Sequence, residues 1–280
     1  MNNKKPIIEV RNLSRIYGEG CSLCGKNTGP EYETNVCPEC GTVTALKSIS
    51  FDLYPGEILG IVGESGSGKS TLLQCLYFDQ NPVSGEAYLS EYEEGKYNLL
   101  NLPKSKKRYI RNHLMGMVYQ NPVQGLRLNI TAGANVAEKL LDADVYHFQN
   151  IRNRIKELLE RTEIPLLYMD TLPRKLSGGM QQRIQIAKAL ANNPPVLFLD
   201  EVTSGLDVSV QARVLDLIKL LQDESNISII VVSHDMGVIR LLTDRTLVLK
   251  NGHLIEGGVT DQILEDPQHA YTQLLVHSTL

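Results

Sequence analysis

The stretch Gly63-Glu64-Ser65-Gly66-Ser67-Gly68-Lys69-Ser70-Thr71 constrains this chain more than any other. It follows the apolar run Ile58-Leu-Gly-Ile-Val62 and precedes the helix-like Leu72-Leu-Gln-Cys-Leu76. Such an order describes a buried strand that delivers the chain to a glycine-rich turn, where positive φ and a bare backbone let successive N–H groups converge on phosphate oxygens. The helix that follows adds the positive end of its dipole. Lys69 is then placed to reach β- and γ-phosphates, and the Ser70 hydroxyl to ligate Mg²⁺. A ligand-free glycine turn is the bland alternative, and the Lys-Ser pair in register after the third glycine argues against it.

The 280 residues suit one α/β core with an inserted subdomain. An apolar fraction of 42% with 21% charged residues fits a globular chain with a sizeable core. A net charge of −4 gives no general electrostatic case for nucleic acid, and the short basic run Lys104-Ser-Lys-Lys-Arg108 reads as a solvated loop. No apolar stretch reaches membrane-spanning length, and the N-terminus carries no apolar signal core. A cytoplasmic location is therefore expected, with any membrane contact made through a partner.

Four of the five cysteines, Cys21, Cys24, Cys37 and Cys40, are spaced Cys-x2-Cys-x12-Cys-x2-Cys. Two paired turns of this kind, each followed by glycine (Gly25, Gly41), bring four thiolates to one tetrahedral ion. Structural zinc is the favoured occupant, an iron–sulfur cluster or disulfides being the alternatives, and a reducing cytoplasm disfavours the last. Four protein ligands would close the site to substrate, leaving folding or docking as its role. Cys75, in the apolar helix after the glycine loop, reads as a small core residue.

Strands are expected at residues 7–10, 45–53, 58–62, 86–89, 115–119, 195–199 and 227–232, with a closing hairpin over 246–257 and a helical pair over 260–280. Residues 90–111 read as a polar surface excursion, and 122–180 as an inserted helical subdomain. Ser177-Gly178-Gly179 opens a helix and is a second anion-binding candidate against a flexible-loop alternative. Asp200-Glu201 ends a buried strand, where adjacent carboxylates are costly without a function: Asp200 can hold Mg²⁺ through water, and Glu201 can orient or deprotonate an attacking water. His234, at the next strand's end, can sense a γ-phosphate or be purely structural. Tyr17 can stack on a purine ring or simply pack.

Taken together, these segments resemble the nucleotide-binding domains of the ABC ATPase superfamily over nearly the whole chain outside residues 19–44. Tyr17 matches the adenine-stacking aromatic, residues 63–71 the Walker A loop, Gln120 the Q-loop, and Leu176-Ser-Gly-Gly-Met-Gln181 the signature. Asp200 matches the end of Walker B, Glu201 the catalytic glutamate, residues 204–207 with Asp207 the D-loop, and His234 the switch histidine. The resemblance implies catalytic roles for Glu201, His234 and Gln120. It also implies Mg²⁺ ligation by Ser70, Gln120 and Asp200. ATP would be sandwiched in a head-to-tail dimer, homomeric or heteromeric, between the Walker A loop of one subunit and Ser177, Gly178, Gly179 and Asp207 of the other. One departure is Val202, where the family usually has proline; this changes loop stiffness and removes no catalytic group.

The fold class implied is α/β: a P-loop core, an antiparallel β subdomain, a helical subdomain at 122–180, a zinc-ribbon-like insertion at 19–44 and a C-terminal helical extension at 256–280. Two branches of the superfamily compete. The tail Glu265-Asp-Pro-Gln-His-Ala-Tyr-Thr-Gln-Leu-Leu275 resembles the dipeptide/oligopeptide importer ATPases, which engage two membrane permeases and would put the chain at the periphery of the inner membrane. After Gln120, however, Asn-Pro-Val-Gln-Gly125-Leu-Arg127 replaces the Ser-Leu-Asn-Pro element usual there. This segment, Glu163-Ile-Pro165 and Gly205-Leu-Asp-Val-Ser-Val-Gln-Ala-Arg213 resemble the K-subunit family of the bacterial carbon–phosphorus lyase system, whose ATPase docks on a soluble phosphonate-degrading core. The cysteine insertion is absent from that family's usual pattern. A clamp with little turnover is the remaining alternative, and the intact Glu201 and His234 argue against it.

Overall fold

Every residue of Ile58–Val62 is buried, as expected of a strand covered on both faces. In the computed structural model, which describes residues 5–24 and 26–279, this strand belongs to the first of two compact units. Gly25, expected in the first cysteine turn, lies outside the described residues, as do residues 1–4 and 280.

The first unit comprises residues 1–103 and 230–280. Its N-terminal part runs β1 (Ile8–Tyr17), β2 (Val43–Leu53), β3 (Ile58–Val62), α1 (Lys69–Leu76) and β4 (Ser84–Leu89). Strands β2, β1 and β4 form a three-stranded antiparallel sheet in that order. The strand expected at residues 7–10 runs on to Tyr17 as one element. Asn12 adopts φ 50° inside it, its N–H donates to Ser50 Oγ, and the register with β2 shifts on either side of Leu13. A bulge of this kind reads in sequence as a break, because it interrupts the two-residue alternation.

The second unit, residues 104–229, holds α2 (Lys104–His113), β5 (Met115–Val118), α3 (Pro122–Gly125), α4 (Ala132–Leu141), α5 (Phe148–Arg161), α6 (Gly178–Ala189), β6 (Val196–Asp200) and α7 (Val208–Ser225). β5 and β6 pair in parallel. Part of the expected excursion over 90–111 is helical: α2 buries Ile110 and Asn112 while its basic residues stay largely outside. Lys and Arg are good helix formers, but so charged a segment shows little apolar periodicity. Asn112 Nδ2 donates to the Asp142 carbonyl, which ties this helix to the end of α4.

β7 (Ser228–Val232) carries the chain across the division, after which come α8 (Met236–Leu242), β8 (Arg245–Lys250), β9 (His253–Val259), α9 (Thr260–Glu265) and α10 (Ala270–Thr279). β8 pairs in parallel with β3 and antiparallel with β9. The buried carboxylate of Glu57 meets Arg245 Nη1 at 3.0 Å, and Asp244 Oδ2 accepts from the Ile58 N–H, so the start of β3 is anchored to the start of β8. Among the described residues, no helix is long and apolar enough to cross a membrane.

Within the second unit, Lys139 is buried and donates to the carbonyls of Arg111 and Met115. Burial, with Arg111 and Lys188 nearby, lowers its ammonium to about 8. The unfolded chain therefore binds this proton over the window from pH 8 to 10.5 while the folded chain releases it, so folding stability rises with pH there. Urea unfolding of wild type and Lys139→Met should show wild-type stability, relative to the variant, climbing by about 2 kcal/mol between roughly pH 7.5 and 9.5.

Candidate functional site

The glycine loop leaves β3 at Gly63 and enters α1 at Gly68. Gly63 has φ 150°, and a Cβ there would stand 2.2 Å from the Leu249 carbonyl oxygen; Gly68 has φ 107°, and its Cβ would stand 2.2 Å from the Ala45 carbonyl oxygen. Only glycine permits both the dihedral and the contact. Lys69, 4% exposed, donates from Nζ to the carbonyls of Gly63 and Glu64, both at 2.8 Å, which folds its side chain back along the loop. Ser67 Oγ is buried with no hydrogen-bond partner, and no heavy atom lies within 4 Å of a Cβ placed on Gly66. An unsatisfied hydroxyl, an open loop tip, a buried ammonium and the start of a helix fit a polyphosphate. Glu64, Ser65 and Gly66 are exposed, and Ser70 and Thr71 lie half-buried in the first turn of α1.

Two attachments hold this loop from later in the chain. The Glu64 N–H donates to Tyr271 Oη of α10 at 3.1 Å, and the Gly252 N–H, in the β8–β9 turn, donates to the Ser67 carbonyl at 3.0 Å. Lys250 Nζ lies 4.8 Å from the Tyr271 ring centroid. Sequence reasoning did not single out Tyr271 for this role, since nothing local marks a tyrosine more than 200 residues downstream as a loop contact. Also in the first unit, the guanidinium of Arg15 covers the Tyr17 ring at 4.5 Å. His234 is exposed one residue after Ser233, whose N–H donates to the Ile61 carbonyl.

In the second unit, Gln120 Nε2 donates to Glu201 Oε2 at 2.8 Å, bringing together two residues 81 positions apart. Glu201 follows the buried Asp200 at the end of β6 and adopts φ 45°, a left-handed conformation unusual for glutamate, so the local fold holds this side chain at some cost. Val202 is buried and thus replaces the usual proline with a packed apolar side chain. The Tyr119 backbone is clasped by Gln185, whose Oε1 accepts from its N–H and whose Nε2 donates to its carbonyl, so α6 fixes the peptide just before Gln120. Gln185 too, though buried, carries no sequence signal, because a single glutamine in a helix does not show which distant backbone it will meet. At the other end of α6, Ser177 Oγ accepts from the Met180 N–H as the N-cap. Gly178 is exposed, and a Cβ on Gly179 would strike Val210 at 2.6 Å. Asp207 is the exposed N-cap residue of α7, without a side-chain cap bond.

Cys21, Cys24, Cys37 and Cys40 converge in the first unit, their Sγ atoms all within 4.8 Å of one another. Sγ separations are 3.6 Å for Cys21–Cys24, 3.7 Å for Cys21–Cys37 and 3.4 Å for Cys24–Cys40. Four thiolates around a tetrahedral Zn²⁺ stand about 3.8 Å apart, so this donor set could hold a metal ion of that size. Hydrogen bonding with the Thr42 side chain and backbone, and with Cys24, lowers the Cys40 thiol to about 6. Cys75 is fully buried, and burial pushes its thiol up to about 11, as suits an inert core residue.

A phosphate loop entering a helix, together with a helix opened by Ser-Gly-Gly and a strand ending in paired carboxylates, defines an ATP-binding protein of the ABC class. The ABC transporter family model matches residues 46–204, and the chain belongs to that family; it is an ABC ATPase. It is 43% identical over 276 residues to the putative phosphonates utilization ATP-binding protein PhnK of Escherichia coli (strain K12), covering 99% of this chain and 98% of the relative. A putative peptide import ATP-binding protein of Brucella abortus is 38% identical over 97% of this chain and 76% of its own length. The oligopeptide transport ATP-binding protein OppD of Lactococcus lactis is 37% identical over 84% of this chain and 70% of its own. Among solved structures, the ATP-binding cassette MJ0796, a dimer in a post-hydrolysis state bound to ADP and Pi, superposes with a TM-score of 0.75 at 29% identity, covering 90% of this chain and 98% of that one.

The contact at Gly68 makes the loop sensitive to one methyl group. Gly68→Ala should lower the thermal midpoint and weaken nucleotide binding by about 30-fold or more, since the strained dihedral and the clash with the Ala45 carbonyl together cost more than about 2 kcal/mol. Thermal melts and a nucleotide titration check it.

Proposed function

We propose that this chain is an ATP-hydrolysing subunit that serves a soluble phosphonate-degrading assembly of the carbon–phosphorus lyase kind. The observation that carries this reading is 43% identity to PhnK along essentially the whole of both chains, against 37–38% for peptide-import relatives. The sequence after Gln120 supports the same choice. The importer reading keeps one observation in its favour, the C-terminal segment around Tyr271, which resembles that branch and here anchors to the phosphate loop.

In the proposed chemistry, residues 63–71 bind the phosphates of ATP, with Lys69 on the β- and γ-phosphates and Tyr17 against the adenine. Ser70, Gln120 and Asp200 offer hydroxyl, amide and carboxylate oxygens, a hard donor set suited to Mg²⁺. When bound, that ion neutralises charge developing on the phosphate oxygens. Glu201, held by Gln120, orients the attacking water and accepts its proton, while His234 contacts the γ-phosphate and stabilises charge there. Residues Ser177, Gly178, Gly179 and Asp207 act on the nucleotide of a second ABC subunit, identical or homologous. Residues 122–180 act as the helical subdomain and 256–280 as a C-terminal extension. Residues 19–44 hold a structural Zn²⁺. The protein works in the cytoplasm and contacts no nucleic acid.

Glu201→Gln should abolish phosphate release while retaining ATP binding and ATP-dependent dimerisation; wild-type turnover in that variant would remove Glu201 from its role. Elemental analysis of protein purified without chelator should find one zinc per chain, whereas four titratable thiols and no metal would end the zinc assignment. For the pathway, an affinity pull-down with the ATP-loaded Glu201→Gln variant from detergent-solubilised native cells should recover soluble carbon–phosphorus lyase subunits. Recovery of a pair of multi-span permeases would make the chain an importer motor.

A further inference from the structure

The cysteine insertion touches the phosphate loop. Asn35 Nδ2 donates to the Gly66 carbonyl at 3.1 Å, a contact across 31 residues. The same peptide unit is held on its other side, where the Ser67 N–H donates to the Glu64 carbonyl. The Gly66–Ser67 peptide is thus held at both its C=O and its N–H edges, at the tip of a loop that packing leaves open.

Asn35 is itself tied into the cysteine cluster. Its carbonyl accepts from the Thr44 N–H, Val36 bridges Val43, and the Cys37 N–H donates to the Thr42 carbonyl, so residues 35–44 form a hairpin-like turn with Cys37 and Cys40 at its end. β2 begins inside that turn, and its Ala45 carbonyl abuts Gly68 at the other end of the phosphate loop. The insertion and the strand it leads into therefore meet the loop at two points, Asn35 at the Gly66 tip and Ala45 of β2 at Gly68. Without an ion linking the four sulfurs, the turn is closed by these backbone bonds and a few side-chain bonds, Val36 N–H to Thr34 Oγ1 and Thr28 Oγ1 to Thr44 Oγ1 among them, on a short, polar and half-exposed segment. Such a segment buries too little apolar surface to stay ordered unaided.

We propose that Asn35 is a positioning residue for the phosphate loop and that metal held by Cys21, Cys24, Cys37 and Cys40 sets nucleotide affinity through it. The metal orders residues 35–44, Asn35 then fixes the Gly66–Ser67 peptide, and the loop is presented to the phosphates already shaped. A loop released from this bond must be ordered by the nucleotide itself, which weakens binding and leaves the hydrolytic step unchanged. The metal half of the proposal rests on the reading of the four cysteines given above; the hydrogen-bond half does not.

The test measures ATP affinity, KM and kcat for wild type and Asn35→Ala, each zinc-loaded and after a zinc-selective chelator with Mg²⁺ maintained. In the zinc-loaded state Asn35→Ala should raise Kd and KM for ATP roughly three- to tenfold with kcat within twofold, the range expected for losing one hydrogen bond. Asn35→Asp, which turns a carboxylate toward the Gly66 carbonyl, should be weaker still, whereas Asn35→Gln should recover part of the affinity. Chelation should weaken ATP binding in wild type by a similar factor and change Asn35→Ala little, because both act on one link. Additive effects, or wild-type affinity indifferent to chelation, overturn the metal coupling. An unchanged KM in Asn35→Ala overturns the positioning role, even if its thermal midpoint falls. Protein that holds no metal sinks the cysteine reading, and the three Asn35 variants then decide the positioning role alone. Should stripping unfold the chain, the comparison of these variants in loaded protein decides that role.

Discussion

The fold around the phosphate loop depends on backbone lying directly against backbone. At Gly63 and Gly68 the chain comes so close to the carbonyls of Leu249 and Ala45 that no side chain fits. Those carbonyls belong to β8 and β2, elements almost 200 residues apart in sequence. The arrangement locks the loop between two strands. Lys69 folds back along the loop, and its ammonium is satisfied by the Gly63 and Glu64 carbonyls despite near-complete burial.

From that constraint the other attachments gain their meaning. Tyr271, Gly252 and Asn35 each reach the loop through a single hydrogen bond from a different part of the chain. Each bond is modest alone. Together they fix peptide planes at Glu64, Ser67 and Gly66, so the loop is shaped by elements lying outside the loop motif itself.

In the second unit the corresponding device is the pairing of Gln120 with Glu201, supported by Gln185 beneath Tyr119 and by a strained backbone at Glu201. The Glu201 carboxylate is thereby directed toward Gln120 rather than left to turn freely. α6 touches two places, with Ser177 capping one end and Gln185 holding the Tyr119 peptide just before Gln120.

Much of the architecture was legible because its signals are local. Continuous apolar runs marked β3, β6 and β7, the glycine spacing marked the phosphate loop, and the cysteine spacing marked a four-sulfur cluster. The bulged β1 and the basic helix α2 were less legible, since a left-handed Asn12 breaks the strand alternation and charge masks helical periodicity. The sequence by itself determined which residues can do chemistry, because residue type and short-range spacing set what a loop, a helix start or a cysteine pair can hold. Only the tertiary structure decided that Asn35, Tyr271 and Gln185 serve those groups, because a hydrogen bond across 31, 66 or 207 residues depends on where strands and helices pack and leaves no local trace.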